Sequence, residues 1–523
     1  MNWLRTLGPI GEALHFIVLV FEVLMVFNLM IVVHELGHFL AARWRGLKVE
    51  AFYVWFGKPL WKRTINGVEY GLGCIPAGGF VKLPQMAPMD AIEGGTQGRE
   101  DLPPISALDK IIVAFAGPLF SFLLACLFAL AVSWLGKPQS EPFVTTTIGH
   151  VVEGSPAAKA GLKPGDRVLR IDGREVKRFE GMSVDSIRWN IVASEGDRIV
   201  FDIQRDGKAL APIEITPLLE SAVQASQQAG QAKPGALRRF FSGLVERPPL
   251  REIGILGKET PMVGRVYPHS PADEAGIKAG DEILTVNGGP VWHRVQIGSL
   301  ARSNPQAALE FELRSGPDQY RKVSLKPRVP EGNPSKFPQP LLGIEWHATG
   351  RRQLAHPGVD EQVGDSVTAL VGMVQKLFSP KSDLSPAHMS GPLGISRVYY
   401  NLLQDPAALL QVLWFSVVLN INLALMNLLP FPVLDGGHIV MAIAEAIRRR
   451  PLPIRALEAV QLVFVLMLFG FMIFVTLKDA GDIFGGGRGA KGAAAAQEPL
   501  WLPADQRNKA GAGVLEKIAP LPR

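Results

Sequence analysis

Cysteine is almost missing from this chain. Its 523 residues hold two, Cys74 and Cys126, one in a loop and one in an apolar run, which argues against a disulfide framework and against a cysteine-ligated metal site. There is no nucleic-acid signature: the net charge is only +6, and the positive clusters sit beside apolar runs. The N-terminal stretch does not read as a cleavable signal peptide, because its apolar run is too long and passes directly into a histidine motif. Apolar residues are abundant, at 47% of the total, and the mean hydropathy is positive. The length allows several domains, and the composition indicates a membrane protein.

Four apolar runs, residues 13–40, 108–135, 409–429 and 459–477, approach or exceed the roughly 20 residues that cross a bilayer as a helix. Arg43, Arg45, Lys48, Lys58, Lys62 and Arg63 follow the first run, and Arg448, Arg449 and Arg450 follow the third. The positive-inside rule puts both clusters in the cytoplasm and leaves the N-terminus and the long segment between the second and third runs outside. Glu22 and Asn28 in the first run, and Gly117 and Ser121 in the second, read as helix-packing positions. Residues 68–83, VEYGLGCIPAGGFVKL, predict a hairpin or re-entrant loop rather than a crossing. Residues 86–104 read as a polar loop.

The outer segment contains a repeat. GHVVEGSPAAKAGLKPGDRVLRIDGREV at 149–176 and GRVYPHSPADEAGIKAGDEILTVNGGPV at 264–291 are offset by 115 residues and share roughly half their positions. Each copy predicts a short helix, a tight turn, a strand and a hairpin. The expected divisions are a membrane part at 1–136 and 407–480, the first copy at 137–248 and the second at 249–350. A connector at 351–406 and a tail at 481–523 complete the chain. Residues 221–249 read as an insert or linker, 365–378 as an amphipathic surface helix, and 389–395 as a turn. The Gly-, Ala- and Pro-rich tail is expected to be disordered, since it lacks the apolar content for a core.

The chemistry is concentrated at Val33-His34-Glu35-Leu36-Gly37-His38-Phe39. On a helix His34 and His38 lie about 40° apart around the axis and about 6 Å along it, so both imidazoles reach one ion and Glu35 reaches a water on it. Ionisable groups inside a lipid-spanning run point to function by default. Zinc needs a third protein ligand and an open position. His150, His269, His293, His347, His356 and His388 lie on the outer side, and His15 is at the outer end of the first run. Asp435 and His438 remain, where the third run ends. The prolines and glycines of Asn427-Leu-Leu-Pro430-Phe-Pro432-Val-Leu-Asp435-Gly436-Gly437-His438 let the backbone turn inward and favour Asp435. The competing reading of Asp435 is a cap on the next helix, and Glu445 is a more distant third ligand.

His34-Glu35-Leu36-Gly37-His38 together with Asn427-Leu-Leu-Pro430-Phe-Pro-Val-Leu-Asp435-Gly436 resembles the paired motifs of the site-2 proteases, the intramembrane zinc metalloproteases. Cys74-Ile-Pro-Ala-Gly-Gly-Phe-Val-Lys82 is similar to that family's membrane re-entrant β-loop, and the two copies look like tandem PDZ domains. The resemblance runs to about residue 480. It implies an α-helical membrane protein with four transmembrane helices, a re-entrant β-loop and two tandem periplasmic PDZ domains of α+β type. It implies Zn2+ on His34, His38 and Asp435, catalysis by Glu35, and substrate binding by Asn427 and by Gly78, Gly79 and Phe80. It further implies the inner membrane of a Gram-negative bacterium and site-2 cleavage of a transmembrane anti-sigma factor trimmed by another protease. Remnant signal peptides are the second implied substrate. Ser121 stands where the family often has asparagine, so no catalytic role is carried onto the second run. A reading of another class is a PDZ-bearing membrane scaffold, or a pseudoprotease, that binds without cutting.

Overall fold

The computed structural model describes residues 8–86, 105–219, 247–405, 407–450, 454–484 and Trp501. Most of the polar loop expected at 86–104, most of the insert at 221–249, and nearly all of the tail lie outside the described residues. The chain divides into two compact units, one of residues 1–137, 356–370 and 390–480, the other of 138–355, 371–389 and 481–523.

In the first unit the apolar runs become helices, the one open structure that satisfies every backbone group within a single segment in lipid. Helix α1 covers Gly8–Trp44, α2 Ala107–Leu135, α3 Val359–Phe378, α4 Pro392–Leu403, α5 Ala408–Asn427, α6 Asp435–Arg448 and α7 Ile454–Phe484, the last turns of α3 and α7 being counted with the second unit. Four stretches are long and apolar enough to cross a bilayer, Ile10–Trp44, Ala107–Leu135, Ala408–Asn427 and Ala459–Ile483, at the places the sequence predicts. Helix α2 packs on α1, α5 and α6. Small residues allow the approach: a Cβ on Gly37 of α1 would lie 2.4 Å from the Ala116 carbonyl oxygen, and Ala125 and Ala129 are fully buried against Val417 and Ile421.

Four strands follow α1: β1 Ala51–Phe56, β2 Trp61–Ile65, β3 Val68–Leu72 and β4 Ile75–Lys82, in the order β2-β3-β1-β4. Residues 68–83 therefore do not pair as a hairpin. β1 lies between β3, its parallel partner, and β4, its antiparallel partner. Strand β1, AFYVWF, is a continuous apolar and aromatic run flanked in the sequence by basic residues. Strand β4 is the edge of the sheet and packs on α1.

The sequence predicts a turn at 389–395, and α4 begins there instead. Gly391 and Pro392 occupy the N-cap and first helical position, where proline is at home. The usual local capping side chain is replaced from a distance: Asp479 of α7 accepts from Gly391 N at 2.9 Å and Gly394 N at 2.8 Å. Between α5 and α6 the chain turns tightly. A Cβ on Gly436 would lie 2.2 Å from Leu428 O and one on Gly437 2.0 Å from Phe431 O, so both glycines are required by backbone crowding.

In the second unit both copies follow one plan. The first runs through strand Ile148–Val151, helix Pro156–Lys159, strand Arg167–Ile171, helix Ile187–Val192 and strand Ile199–Arg205; the second runs through Val263–Val266, Pro271–Glu274, Glu282–Val286, Arg294–Ser303 and Leu309–Gly316. Each is closed by a late strand on its first one, Ile255–Gly257 and Ile344–Trp346. Ile253 and Ile255, beyond the boundary expected at 248, lie in the core of the first copy. The repeated serine caps each short helix, Ser155 Oγ accepting from Ala158 N and Ser270 Oγ from Asp273 N. The repeated aspartate is buried and meets an arginine, Asp166 with Arg205 and Asp281 with Arg321. Gly254 and Gly343 enter the closing strands with φ of +79° and +81°.

His293 caps Arg294–Ser303 as a neutral ring: its Nδ1 accepts from Val295 N at 3.2 Å. Burial, then Arg294 and His150, push its imidazole down to about 4. Since the folded value lies below the ordinary 6.5, the unfolded chain takes up the proton first. The cap's contribution is complete above about pH 6.5 and falls as the pH drops towards about 4. Hydrogen exchange across residues 293–303, corrected for intrinsic rate, should therefore accelerate through this window. His293→Asn, which caps without titrating, should flatten the profile; an unchanged slope would place the acid sensitivity elsewhere.

Candidate metal centre

Helix α1 puts His34 and His38 on one face, and both are buried. Their Nε2 atoms are 3.2 Å apart. The second nitrogen of each ring is already engaged. His38 Nδ1 is 2.8 Å from Val113 O, and since a carbonyl only accepts, that nitrogen carries the proton and Nε2 presents its lone pair. His34 Nδ1 is 3.0 Å from Ser121 Oγ. Both partners belong to α2, so the helix that buries the imidazoles also orients them.

Asp435, the first residue of α6, completes the group. Its Oδ2 lies 3.2 Å from His34 Nε2 and its Oδ1 3.4 Å from His38 Nε2. The N-cap of α6 is Leu434, without a side-chain cap. Tetrahedral zinc with ligand bonds of about 2.0–2.1 Å separates its donors by roughly 3.3 Å, so the observed spacings fit one ion with a fourth position open. Among the described residues, this is the group of three histidine, cysteine, aspartate or glutamate side chains whose donors converge. His438 is buried nearby but is outside that group. Glu445 is held instead by Lys110 Nζ at 2.6 Å.

Gly117 provides the room. A Cβ there would lie 2.2 Å from His38 Nε2 and 2.8 Å from His34 Nε2. The sequence reads Gly117 and Ser121 as plain helix packing; their further part, facing the imidazoles, has no signal until the two helices are in register.

Glu35 is half-buried and lines a cavity of about 10 Å3 with His38, Asp435, His438, Val81 and Met86, about the room of one water. Its carboxylate takes a hydrogen bond from the Val81 backbone of β4. Asn427, the last residue of α5, brings Nδ2 to 3.4 Å from His34 Nε2. Gly78, Gly79 and Phe80 lie on β4, with Gly79 opposite Val54 and Phe80 opposite Tyr53 on β1.

The sequence treats Asn28 as a packing residue, and it does more. Its Nδ2 donates to Pro76 O at 2.8 Å and its Oδ1 accepts from Gly78 N at 3.2 Å. The side-chain amide thus stands in for a neighbouring peptide on the open edge of β4. An asparagine in an apolar run was the available sign, but nothing local named its partner.

Such a donor set beside a glutamate, on helices made for lipid, is what a zinc metalloprotease of the membrane requires. The family follows from comparison: the sequence profile of peptidase family M50 matches residues 22–471, and the chain belongs to that family, the site-2 proteases. The chain is 28% identical over 467 residues to the regulator of sigma-E protease RseP of Escherichia coli K12, covering 86% of this chain and 95% of that protein. It is 27% identical over 472 residues to the RseP of Salmonella typhimurium strain 14028s, covering 86% and 95%. A Neisseria meningitidis serogroup A protein, named as a candidate zinc metalloprotease, is 31% identical over 479 residues, covering 87% and 96%.

Gly117→Ala is favourable for helix propensity yet places a methyl group on both imidazoles. Zinc per chain in the detergent-purified protein should fall at least tenfold with helix content unchanged by circular dichroism. Full zinc in that variant would show that the close approach is dispensable.

Proposed function

We propose that this chain is an intramembrane zinc endopeptidase that makes the second cut in a transmembrane anti-sigma factor already trimmed outside the membrane, and that it also cuts remnant signal peptides. The observation that carries the reading is the convergence of His34, His38 and Asp435 beside Glu35 within helices suited to lipid. The anti-sigma substrate is what the resemblance to the site-2 proteases implies, and relatives named for sigma-E regulation agree with it.

Zinc held by the three side chains supplies Lewis acidity at its open position. The chain's own residues supply the rest. Glu35 takes the proton of the attacking water and returns it to the leaving amide nitrogen. Asn427 holds the substrate backbone beside His34. Strand β4 takes the unwound segment as an added strand through Gly78, Gly79 and Phe80, replacing hydrogen bonds lost from the substrate helix. Two observations support this placement: β4 is an edge strand, and its backbone groups at Pro76, Gly78 and Val81 are met by side chains of α1.

The two copies are PDZ domains on the periplasmic side, acting as a size filter or tail sensor for what reaches Glu35. In each, a glycine turn leads into the closing strand, an arrangement suited to holding an extended peptide. The cytoplasmic assignment of the basic clusters, and so the inner-membrane orientation, rests on the positive-inside rule.

Cleavage of a trimmed against a full-length anti-sigma factor tests the substrate; equal rates on both would reject the site-2 role. Glu35→Gln should keep zinc and lose cleavage by a factor of about 10³ or more, following the usual weight of a general base, whereas Asp435→Ala should lose zinc. Near wild-type cutting by Glu35→Gln would reject the mechanism and leave a binding scaffold as the better reading. Asn28→Leu should keep zinc and lower kcat/KM about tenfold, because two backbone groups of β4 lose their partner; an unchanged kcat/KM would remove Asn28 from substrate positioning.

A further inference from the structure

Trp501 is apart from every other described residue of the tail. It follows the end of α7 at Phe484 by 17 residues (501 − 484), and the family match ends at residue 471. An isolated tryptophan in a Gly/Ala-rich tail is expected to be wet. This one is 4% exposed.

Its seat is on the second copy. Indole Cζ2 lies 3.2 Å from the position a Cβ would take on Gly343, at the turn into the closing strand Ile344–Trp346. The Arg328 guanidinium sits 5.9 Å from the ring centroid, within cation–π range. Arg328 is itself fixed, donating to His269 O and to Glu274, both at 2.9 Å. The indole Nε1 is buried without an acceptor among the described residues, so packing and the guanidinium hold the ring. The first copy differs: the atoms nearest a Cβ on Gly254 belong to Ser155 and Val152, with no indole among them. The indole is therefore not part of the shared plan of the repeat.

Crossing parity allows the contact whichever way the chain is inserted. The copies lie between α2 and α5, and Trp501 follows α7. Two spanning helices intervene, so both lie on one side of the membrane.

We infer that Trp501 is an in-chain ligand of the second copy, seated at the Gly343 turn, which any incoming peptide must displace. Because the indole is part of the same chain, its docking is intramolecular, and a competing segment gains entry only by binding the turn more tightly than the indole does. The docking itself is independent of the protease reading; that an incoming peptide uses the same turn rests on the PDZ reading proposed above.

The test uses the full-length protein in detergent and a fluorescein-labelled peptide of residues 495–507, read by anisotropy. Trp501→Ala should bind the peptide at least tenfold more tightly than the wild type, and the same peptide with alanine in place of its tryptophan should bind neither protein. Equal affinity for wild type and variant, or no binding to either, overturns the inference. Zinc content and peptidase activity on a short soluble peptide should match between the two proteins, since Trp501 is outside the metal centre. A benzophenone amino acid at position 501 should cross-link within 341–346 or 267–271; cross-links confined to other segments overturn it as well.

Discussion

Two imidazoles and a carboxylate meet within an apolar helix bundle only where a second helix backbone yields space and supplies partners. In this chain that helix is α2. Gly117 leaves the volume the rings occupy, Val113 O and Ser121 Oγ hold their far nitrogens, and Ala116 lies against Gly37. A single Cβ at Gly117 would fall inside contact distance of both Nε2 atoms. The donor spacing therefore depends on the α1–α2 approach, and that approach depends on glycine at two positions. Asp435 is set by an equivalent device at the other end of the chain. Gly436 and Gly437 let the turn after α5 fold onto its own carbonyls, which aims the first residue of α6 at the histidines.

The repeat follows a different logic. Its two copies share buried Asp–Arg pairs, serine caps and left-handed glycine turns, so the same short-range rules are satisfied twice. What separates the copies is what each carries beyond the shared plan. A titratable histidine cap begins Arg294–Ser303 in the second, where Ser186 caps Ile187–Val192 in the first. Among the described residues an indole lies against the Gly343 turn, whereas Ser155 and Val152 are nearest the Gly254 turn.

Much of this was legible in the sequence, and the divide follows the range of the interactions. The four spans come from run length alone. His34 and His38 come from helical spacing, and Asp435 comes from elimination plus the prolines and glycines around it. Each copy's helix, turn and strand come from the Ser-Pro, Ala-Gly and Gly-Asp punctuation. The misses share one cause, a partner far away in sequence. Strand β1 separates β3 from β4, which no local pattern in 68–83 can report. Helix α4 is capped by Asp479, 88 residues from Gly391. Asn28 answers to Pro76 and Gly78, and Ser121 to His34. The closing strand at 255–257 belongs to a core whose other members, Ile253 apart, lie more than 30 residues earlier, at Ile215 and before.

Asn28 bears most directly on how the proposed helix-cutting site could rest in lipid. An open sheet edge at membrane depth leaves backbone donors and acceptors unpaired, at several kcal/mol each. A permanent strand on β4 would satisfy them and exclude substrate. A side-chain amide satisfies one acceptor and one donor without committing the edge, since it is short, planar and withdrawn by one rotamer change. Glu35 does the same further along, taking the Val81 N–H. The side chains that quiet the edge are thus the ones an unwound substrate would replace, and the second of them is the proposed general base. On the proposed function, arrival of a substrate strand and release of the Glu35 carboxylate towards water would be one event, coupling chemistry to a bound, extended chain.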